Sequence, residues 1–140
     1  MKGFTLLEIL LVIALITVVS VISPPIYTKI VSQTAINSNI STLISVLHKA
    51  QSNSLASLYD SVWGVKIENN KFTLFKGNDY SSRDQNFDEP YDSYGNFTTS
   101  GDNEIIFPKL NTLNKKYLVV ISNDEKTINL NINEFGVIDY

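Results

Sequence analysis

Residues 2–25 of the chain read KGFTLLEILLVIALITVVSVISPP, and this stretch decides how the rest is interpreted. An α-helix over the nineteen residues Phe4 to Ile22 rises about 28 Å at 1.5 Å per residue. The hydrocarbon core of a bilayer is about 30 Å thick. The stretch is therefore just long enough to span a membrane as a helix, in which the backbone groups are satisfied internally. From Phe4 to Ile22 the only polar residues are Thr5, Glu8, Thr17 and Ser20.

A cleaved secretory signal peptide is the first alternative for this stretch. Such a peptide has a basic start, an apolar run of about 7–15 residues and a small-x-small cleavage site. Lys2 supplies the basic start, but the apolar run is longer, and Ser20–Ile26 offers only a poor cleavage site. An uncleaved anchor fits better, with Lys2 on the cytoplasmic side and the C-terminal head exported.

Glu8 is the charged residue inside the apolar run. A carboxylate at the centre of a bilayer costs about 2.5–3.5 kcal/mol on insertion scales, and less near the interface. Because Glu8 lies only four residues after Phe4, its side chain can reach the interface. Taken alone, Glu8 is also consistent with a charge that has no function and that the membrane tolerates near its interface, and this interpretation stays open.

The residues around Glu8 carry a more specific signal. Gly3-Phe4-Thr5-Leu6-Leu7-Glu8, followed by the long aliphatic run, resembles the N-terminus of type IV prepilins and type II secretion pseudopilins. In that family the prepilin peptidase cuts after the glycine, on the cytoplasmic side, and methylates the new N-terminal amine. The resemblance therefore implies a leader of residues 1–3, cleavage between Gly3 and Phe4, and N-methylation of Phe4. Glycine suits a cleavage site because no side chain covers its backbone.

The resemblance also implies a partner for Glu8. Cleavage frees a positive amine at Phe4, and Glu8 of a neighbouring pilin or pseudopilin subunit can pair with it when helices bundle. Opposite charges attract strongly in a low-dielectric bundle, and each is costly if unpaired. Glu8 is thus expected to set the register of assembly. Residues 4–25 are expected to span the lipid bilayer first and to form the filament core later.

Beyond Pro25 the sequence becomes polar but keeps a helical period. A proline inside a helix removes a hydrogen bond and kinks it. We therefore expect one helix from about Phe4 to about Ser57, bent near Pro24 and Pro25, with an amphipathic part over residues 26–58. One apolar stripe marks its buried face at spacings of 4, 3, 4 and 3. The stripe consists of Ile36, Ile40, Leu43, Leu47 and Ala50.

From residue 59 to residue 140 the period changes to two, which indicates a β-rich head. Together with the helix this predicts an α+β fold, a long N-terminal helix packed on an antiparallel β-sheet head, as in pilins. The order of elements in the head resembles that of minor pilins and pseudopilins of the GspH/FimT type. The predicted strands are Val62–Ile67, Lys71–Lys76, Glu104–Phe107, Tyr117–Ser122, Thr127–Ile132 and Phe135–Ile138.

The stretch Asn78–Asn103 is rich in acids with interleaved aromatic residues. Oxygen-rich loops can hold calcium, and some pseudopilin heads do, but no EF-hand spacing is present. We interpret the stretch as a solvated surface loop that its aromatic side chains attach to the sheet.

Composition narrows the function classes. The chain has no cysteine and a single histidine, His48, and it lacks the hydrolase, metalloprotease and phosphate-loop motifs. We therefore expect neither an enzyme nor a cofactor. Once Lys2 is removed, ten basic residues face fourteen acidic ones, and the closest basic group is Lys109, Lys115 and Lys116. Nucleic-acid binding needs a stronger basic patch and is not expected.

The expected function is a structural subunit, a minor pilin or pseudopilin of a type IV pilus or a type II secretion pseudopilus. It would lie in the inner membrane with its N-terminus in the cytoplasm, meet the prepilin peptidase and the inner-membrane assembly platform, and end in an extracellular or periplasmic filament. The alternatives are a DNA-binding minor pilin of a competence pilus and a plain membrane-anchored exported domain.

Overall fold

A computed structural model describes residues 3–69, 71–109, 113 and 115–140, apart from the side chains of residues 21–26. Met1 and Lys2 of the predicted leader lie outside the described residues. The side chains of Pro24 and Pro25, the site of the predicted kink, lie outside them as well.

The described part of the chain is α+β, as predicted. One α-helix, α1 (Leu6–Leu55), precedes eight strands that pair only antiparallel within the described residues. Two short 3₁₀ turns lie at Leu58–Asp60 and Gln85–Phe87. The strands are β1 (Trp63–Glu68), β2 (Lys71–Lys76), β3 (Glu89–Asp92), β4 (Thr98–Gly101), β5 (Glu104–Phe107), β6 (Tyr117–Ser122), β7 (Thr127–Ile132) and β8 (Ile138–Asp139).

The described strands form two four-stranded sheets, in the orders β3-β2-β1-β5 and β4-β6-β7-β8. The prediction of a single sheet of about six strands is therefore wrong. Both additional strands, β3 and β4, lie at sheet edges inside the stretch predicted as a loop, 78–103. In β3, Pro90 pairs with Thr73, a position tolerated because an edge strand can leave the missing N–H group unpaired.

Two asparagine side chains shape the turns of the second sheet. Asn123 Oδ1 accepts hydrogen bonds from the backbone N–H groups of Glu125 and Lys126, at 3.0 and 2.8 Å, and so closes the predicted turn between β6 and β7. Asn133 Oδ1 likewise accepts from Phe135 and Val137. The predicted strand Phe135–Ile138 is therefore largely wrong, because this turn delays β8 until Ile138.

The apolar stripe of α1 is confirmed as the buried face of the helix. Ile36, Ile40, Leu43, Leu47 and Ala50 are each at most 3 % exposed. The helix packs with this face against β1, β2, β5 and β6. The core between helix and sheets includes Val65, Phe72, Leu74, Ile105, Val119, Ile121 and Leu130.

Polar contacts attach α1 to the head at several levels along its axis. At two of these levels the helix residue is itself buried, since Asn39 is 1 % exposed and Ser54 is fully buried. The head is thereby joined to the helix over about 38 Å, from residue 29 to residue 54, at 1.5 Å per residue. The contacts include the Lys29–Glu125 ion pair, the Asn123 amide to the Ser32 carbonyl, the Lys126 ammonium to the Asn37 side-chain oxygen, the Asn39 amide to the Tyr94 backbone, the Lys49–Glu89 ion pair, and the Trp63 N–H to the Ser54 hydroxyl.

Candidate assembly interface

The first half of α1 presents an exposed apolar surface. Every side chain from residue 3 to residue 20 is exposed. Leu7 is 75 % exposed, Ile13 53 % and Val19 67 %. Contiguous exposed apolar surface of this extent marks an interaction site for protein or lipid.

The hydroxyl groups of this segment are satisfied by the helix itself. Thr17 Oγ1 donates to the carbonyl oxygens of Ala14 and Ile13, at 2.8 and 3.1 Å, and Ser20 Oγ donates to Ile16 at 2.8 Å. In an apolar environment an unpaired polar group costs free energy. The two hydroxyls therefore do not oppose burial of this surface.

Glu8 lies in the first turn of α1, where Thr5 is the N-cap residue. Thr5 has extended backbone angles, and its Oγ1 accepts a hydrogen bond from the Glu8 N–H at 3.3 Å. The Glu8 carboxylate itself has neither a hydrogen bond nor an ion pair within the described residues. It borders a shallow apolar hollow of about 280 Å³ with Phe4, Ile9, Val12 and Ile13. The segment therefore offers one unpartnered negative charge in an apolar surface.

The N-cap role of Thr5 was not part of the sequence interpretation, although the pattern for it is present. Thr5-x-x-Glu8 matches the capping box, in which the residue at the third helical position can be Glu or Gln. A negative charge in the first turn also interacts favourably with the helix dipole. Within the described residues only the Thr5 half of the box is formed, so the local role of Glu8 is its charge near the helix start, and a test of its assembly role has to separate the two.

The predicted cleavage site lies before the helix, in an open position. Gly3, Phe4 and Thr5 have no regular secondary structure, and Phe4 is 80 % exposed. A Cβ atom added at Gly3 would meet no atom within 4 Å. Of the predicted site residues, Phe4 and Glu8 line the same hollow, and the backbone at Gly3 is accessible beside them.

No helix within the described residues is both long enough and apolar enough to cross a membrane.

The predicted basic group is largely neutralised by ion pairs. Lys109 Nζ lies 2.6 Å from an Asp60 oxygen, and Lys115 Nζ lies 2.6 Å from an Asp102 oxygen. A phosphate would have to displace these carboxylates. His48 is exposed on α1, and no group of three or more His, Cys, Asp or Glu side chains among the described residues is placed to hold a metal ion.

The acidic stretch is held against the head by its own side chains. Phe97 is 7 % exposed and contacts Phe72, while Tyr80 packs edge-on against Phe75. Most of its carboxylates have a basic partner, and Asp79 instead accepts hydrogen bonds from Ser82. The ion pairs are Asp84 with Lys76, Asp88 with Arg83, Glu89 with Lys49 and Asp102 with Lys115.

Acid should destabilise the head through these carboxylates, with Asp102 as a test case. Hydrogen bonds from the Lys115 ammonium and the Leu118 N–H lower the pKa of Asp102 in the folded chain. The resulting stability is present above the unfolded pKa of about 3.9 and is lost as pH falls through the folded pKa. Below about pH 4, we expect the melting temperature of Asp102→Asn to fall less steeply with decreasing pH than that of the unaltered chain. Trp63 fluorescence follows the unfolding. Lys115→Met should flatten the profile in the same way, and unchanged slopes in both would contradict the assignment.

Comparison of the chain with known protein families, with curated proteins and with solved structures finds no match.

Proposed function

We propose that the chain is a structural subunit of a filament, a minor pilin or pseudopilin of a type IV pilus or a type II secretion pseudopilus. One observation carries the proposal. An exposed apolar helix holds a single carboxylate, Glu8, beside the exposed Phe4, and that carboxylate has no partner within the described residues. A surface of this kind gains most from a partner that is apolar and brings one positive charge.

A second copy of the processed chain is such a partner. Cleavage after Gly3 leaves a positive amine on Phe4, next to an apolar helix like the one it meets. Transfer of the helices from lipid to a bundle keeps their apolar side chains covered, and the amine of one copy meets Glu8 of the next. Contacts of this heterologous kind repeat without closing and therefore build a filament.

The two halves of α1 would then have separate tasks. Residues 4–25 would span the inner membrane before assembly, in contact with the prepilin peptidase and the assembly platform, and would form the filament core afterwards. The part of α1 from Ile36 onward is buried in the head. Each subunit would therefore place a head on the filament surface at a fixed position relative to its core helix.

The mass of the mature N-terminus tests the proposal. The full chain is produced in a host with a prepilin peptidase and analysed from the membrane fraction. We expect a chain that begins at Phe4 and carries one methyl group, whereas Gly3→Ala should accumulate uncut. Because a Cβ atom at Gly3 meets nothing within 4 Å, that variant should fold like the unaltered chain.

Other masses contradict the proposal. An intact Met1 in the unaltered chain would indicate a plain anchored domain, and a cut near Pro24 would indicate a signal peptide. Unchanged processing of Gly3→Ala would show that another protease acts at this site.

A further inference from the structure

The side of α1 that faces away from both sheets stays apolar beyond the predicted end of the spanning run. Tyr27 and Val31, four residues apart on this side, are 70 % and 48 % exposed, and Ile30 beside them is 57 % exposed. The same side becomes polar further along. It continues with the exposed residues Ser41, Ser45, His48 and Ser52, at helical spacings of three and four.

The loop between β3 and β4 adds a wall to this apolar face. The Tyr94 N–H donates to Asn39 Oδ1 at 2.8 Å, and Asn39 Nδ2 donates to the Tyr94 carbonyl at 2.7 Å. Gly95, with φ at +71°, lies so close to the helix that a Cβ atom there would be 3.2 Å from the Ala35 Cβ. The buried Asn39 thus holds the Tyr94 backbone beside the helix, while the Tyr94 side chain remains 64 % exposed.

The result is an open groove of about 370 Å³, here called the neck groove. Tyr27 lies on the same side of the helix, about one turn before the groove towards the N-terminus. The groove is lined by Ile30, Val31, Thr34, Ala35, Ser38 and Tyr94.

Lipid does not account for the neck groove if residues 4–25 are the spanning run. That run already fills the roughly 30 Å of hydrocarbon. From Pro25 to Ala35 the helix rises about another 15 Å. The groove would therefore stand outside the bilayer, where exposed apolar surface needs a different cover.

We propose that the neck groove receives the apolar helix of a second copy of this chain. This rests on the proposed function, in which such helices bundle. The occupant must be an apolar helix that is itself uncovered, and residues 6–20 have every side chain exposed. The groove also lies on the same helix as the exposed apolar residues 6–20, so an incoming helix that packs along that helix can reach both.

The extent of the apolar face predicts a register. The apolar run of the incoming copy ends at Pro25, and the apolar face that it covers ends at Ala35. Matching the two ends displaces the incoming copy by ten residues, or about 15 Å, towards the head. Pairing of Glu8 with the Phe4 amine needs a displacement of only four residues, about 6 Å. The two contacts therefore involve different neighbours, as an open helical array allows.

Disulfide cross-linking tests this register without background, since the chain has no cysteine. Two full-length copies with different tags are produced together. One carries Ile30→Cys, and the other carries Val19→Cys or Ser20→Cys. We expect a mixed dimer after oxidation of filaments sheared from a host that assembles them. The control Ser45→Cys, on the polar continuation of the same side, should form none with the same partners.

Tyr94 supplies a second readout. Tyr94→Ser should cause loss of the Ile30→Cys cross-link, and Tyr140→Ser, which removes a similarly exposed tyrosine, should not. The buried Trp63 reports in both variants whether the head remains folded.

Parallel measurements separate failure of this inference from failure of the proposed function. Leu11→Cys homodimers report on helix bundling itself, and the N-terminal mass reports on processing. Leu11→Cys dimers without the Ile30→Cys dimer would overturn the neck-groove contact and leave the proposed function standing. Absence of both dimers with an uncut N-terminus would overturn both.

Two further outcomes would overturn the contact alone. If Ser45→Cys cross-links as well as Ile30→Cys, the dimers reflect random collision. If Ile30→Cys is shielded from a water-soluble maleimide but forms no dimer with the second copy, lipid or another protein covers the groove.

Discussion

Glu8→Gln and Glu8→Ala should both insert into the membrane like the unaltered chain, and both should be lost from filaments. The reason is that the Phe4 amine of a neighbour would remain without its negative partner in an apolar bundle. Removing one partner of a buried ion pair costs about 3–5 kcal/mol, which corresponds to at least about a hundredfold drop in incorporation. The measurement is the ratio of subunit in sheared filaments to subunit in membranes.

The glutamine variant keeps the approximate size of the Glu8 side chain but removes its charge. It therefore loses the proposed ion pair and the favourable interaction with the helix dipole, which is worth only about 0.3–1 kcal/mol. If Glu8→Gln were incorporated normally, that result would contradict the ion pair. Thr5→Ala is the reverse control. It should weaken the helix start by about 1 kcal/mol but keep the charge and therefore the incorporation.

Gly64→Ala should destabilise the head strongly. Gly64 lies in β1, between Phe75 of β2 and Ile106 of β5. A Cβ atom there would lie 2.5 Å from Phe75 Cζ and 2.9 Å from the Ile105 carbonyl oxygen. Phe75 is fully buried, so its ring cannot move aside without disturbing its neighbours. Overpacking of this kind costs about 1–3 kcal/mol, and the clash with backbone points to the upper end.

The single tryptophan, Trp63, is buried next to this position and reports on the unfolding directly. We expect Gly64→Ala to shift the urea midpoint of the full chain in detergent to lower concentration, with an unchanged N-terminal mass. Gly3→Ala is the matched control, because it should block processing and leave the midpoint unchanged. An unchanged midpoint for Gly64→Ala would show that the sheet relaxes around the added methyl group.

Periodicity was enough to predict the elements that form the core. The stripe from Ile36 to Ala50 is buried because every third or fourth residue of a helix lies on one face. Strands β2, β5, β6 and β7 have the predicted bounds, and β1 is shifted by one residue. In each of these cases the apolar pattern itself decides which face is buried.

The missed features depend on contacts between distant segments. Strands β3 and β4 are only four residues long and have no buried residue of their own, so no alternation predicts them. They are strands because β2 and β6 each offer a free edge to pair with. The turn before β8 depends on the Asn133 side chain and on Gly136 at φ +73°, neither of which appears in an apolar pattern.

The candidate interface was predictable only in part. Gly3, Phe4 and Glu8 form a linear motif that can be recognised without a structure, and their roles in cleavage, methylation and assembly stay predictions. The neck groove was missed, although Tyr27, Ile30 and Val31 already stand at helical spacing. Its wall, Tyr94, is 55 residues further along the chain than Asn39, and only the fold brings the two together.

The polar contacts that attach α1 to the head have a mechanical consequence. If the chain assembles into a filament as proposed, tension on the filament enters each subunit along its helix, and the head must not slide off. The contacts at Ser32, Asn39, Lys49 and Ser54 are spread along the helix. A force along the helix axis therefore loads them together, and we expect them to fail together rather than one after another. We therefore expect a pulled subunit to leave the filament with its head still folded around the helix.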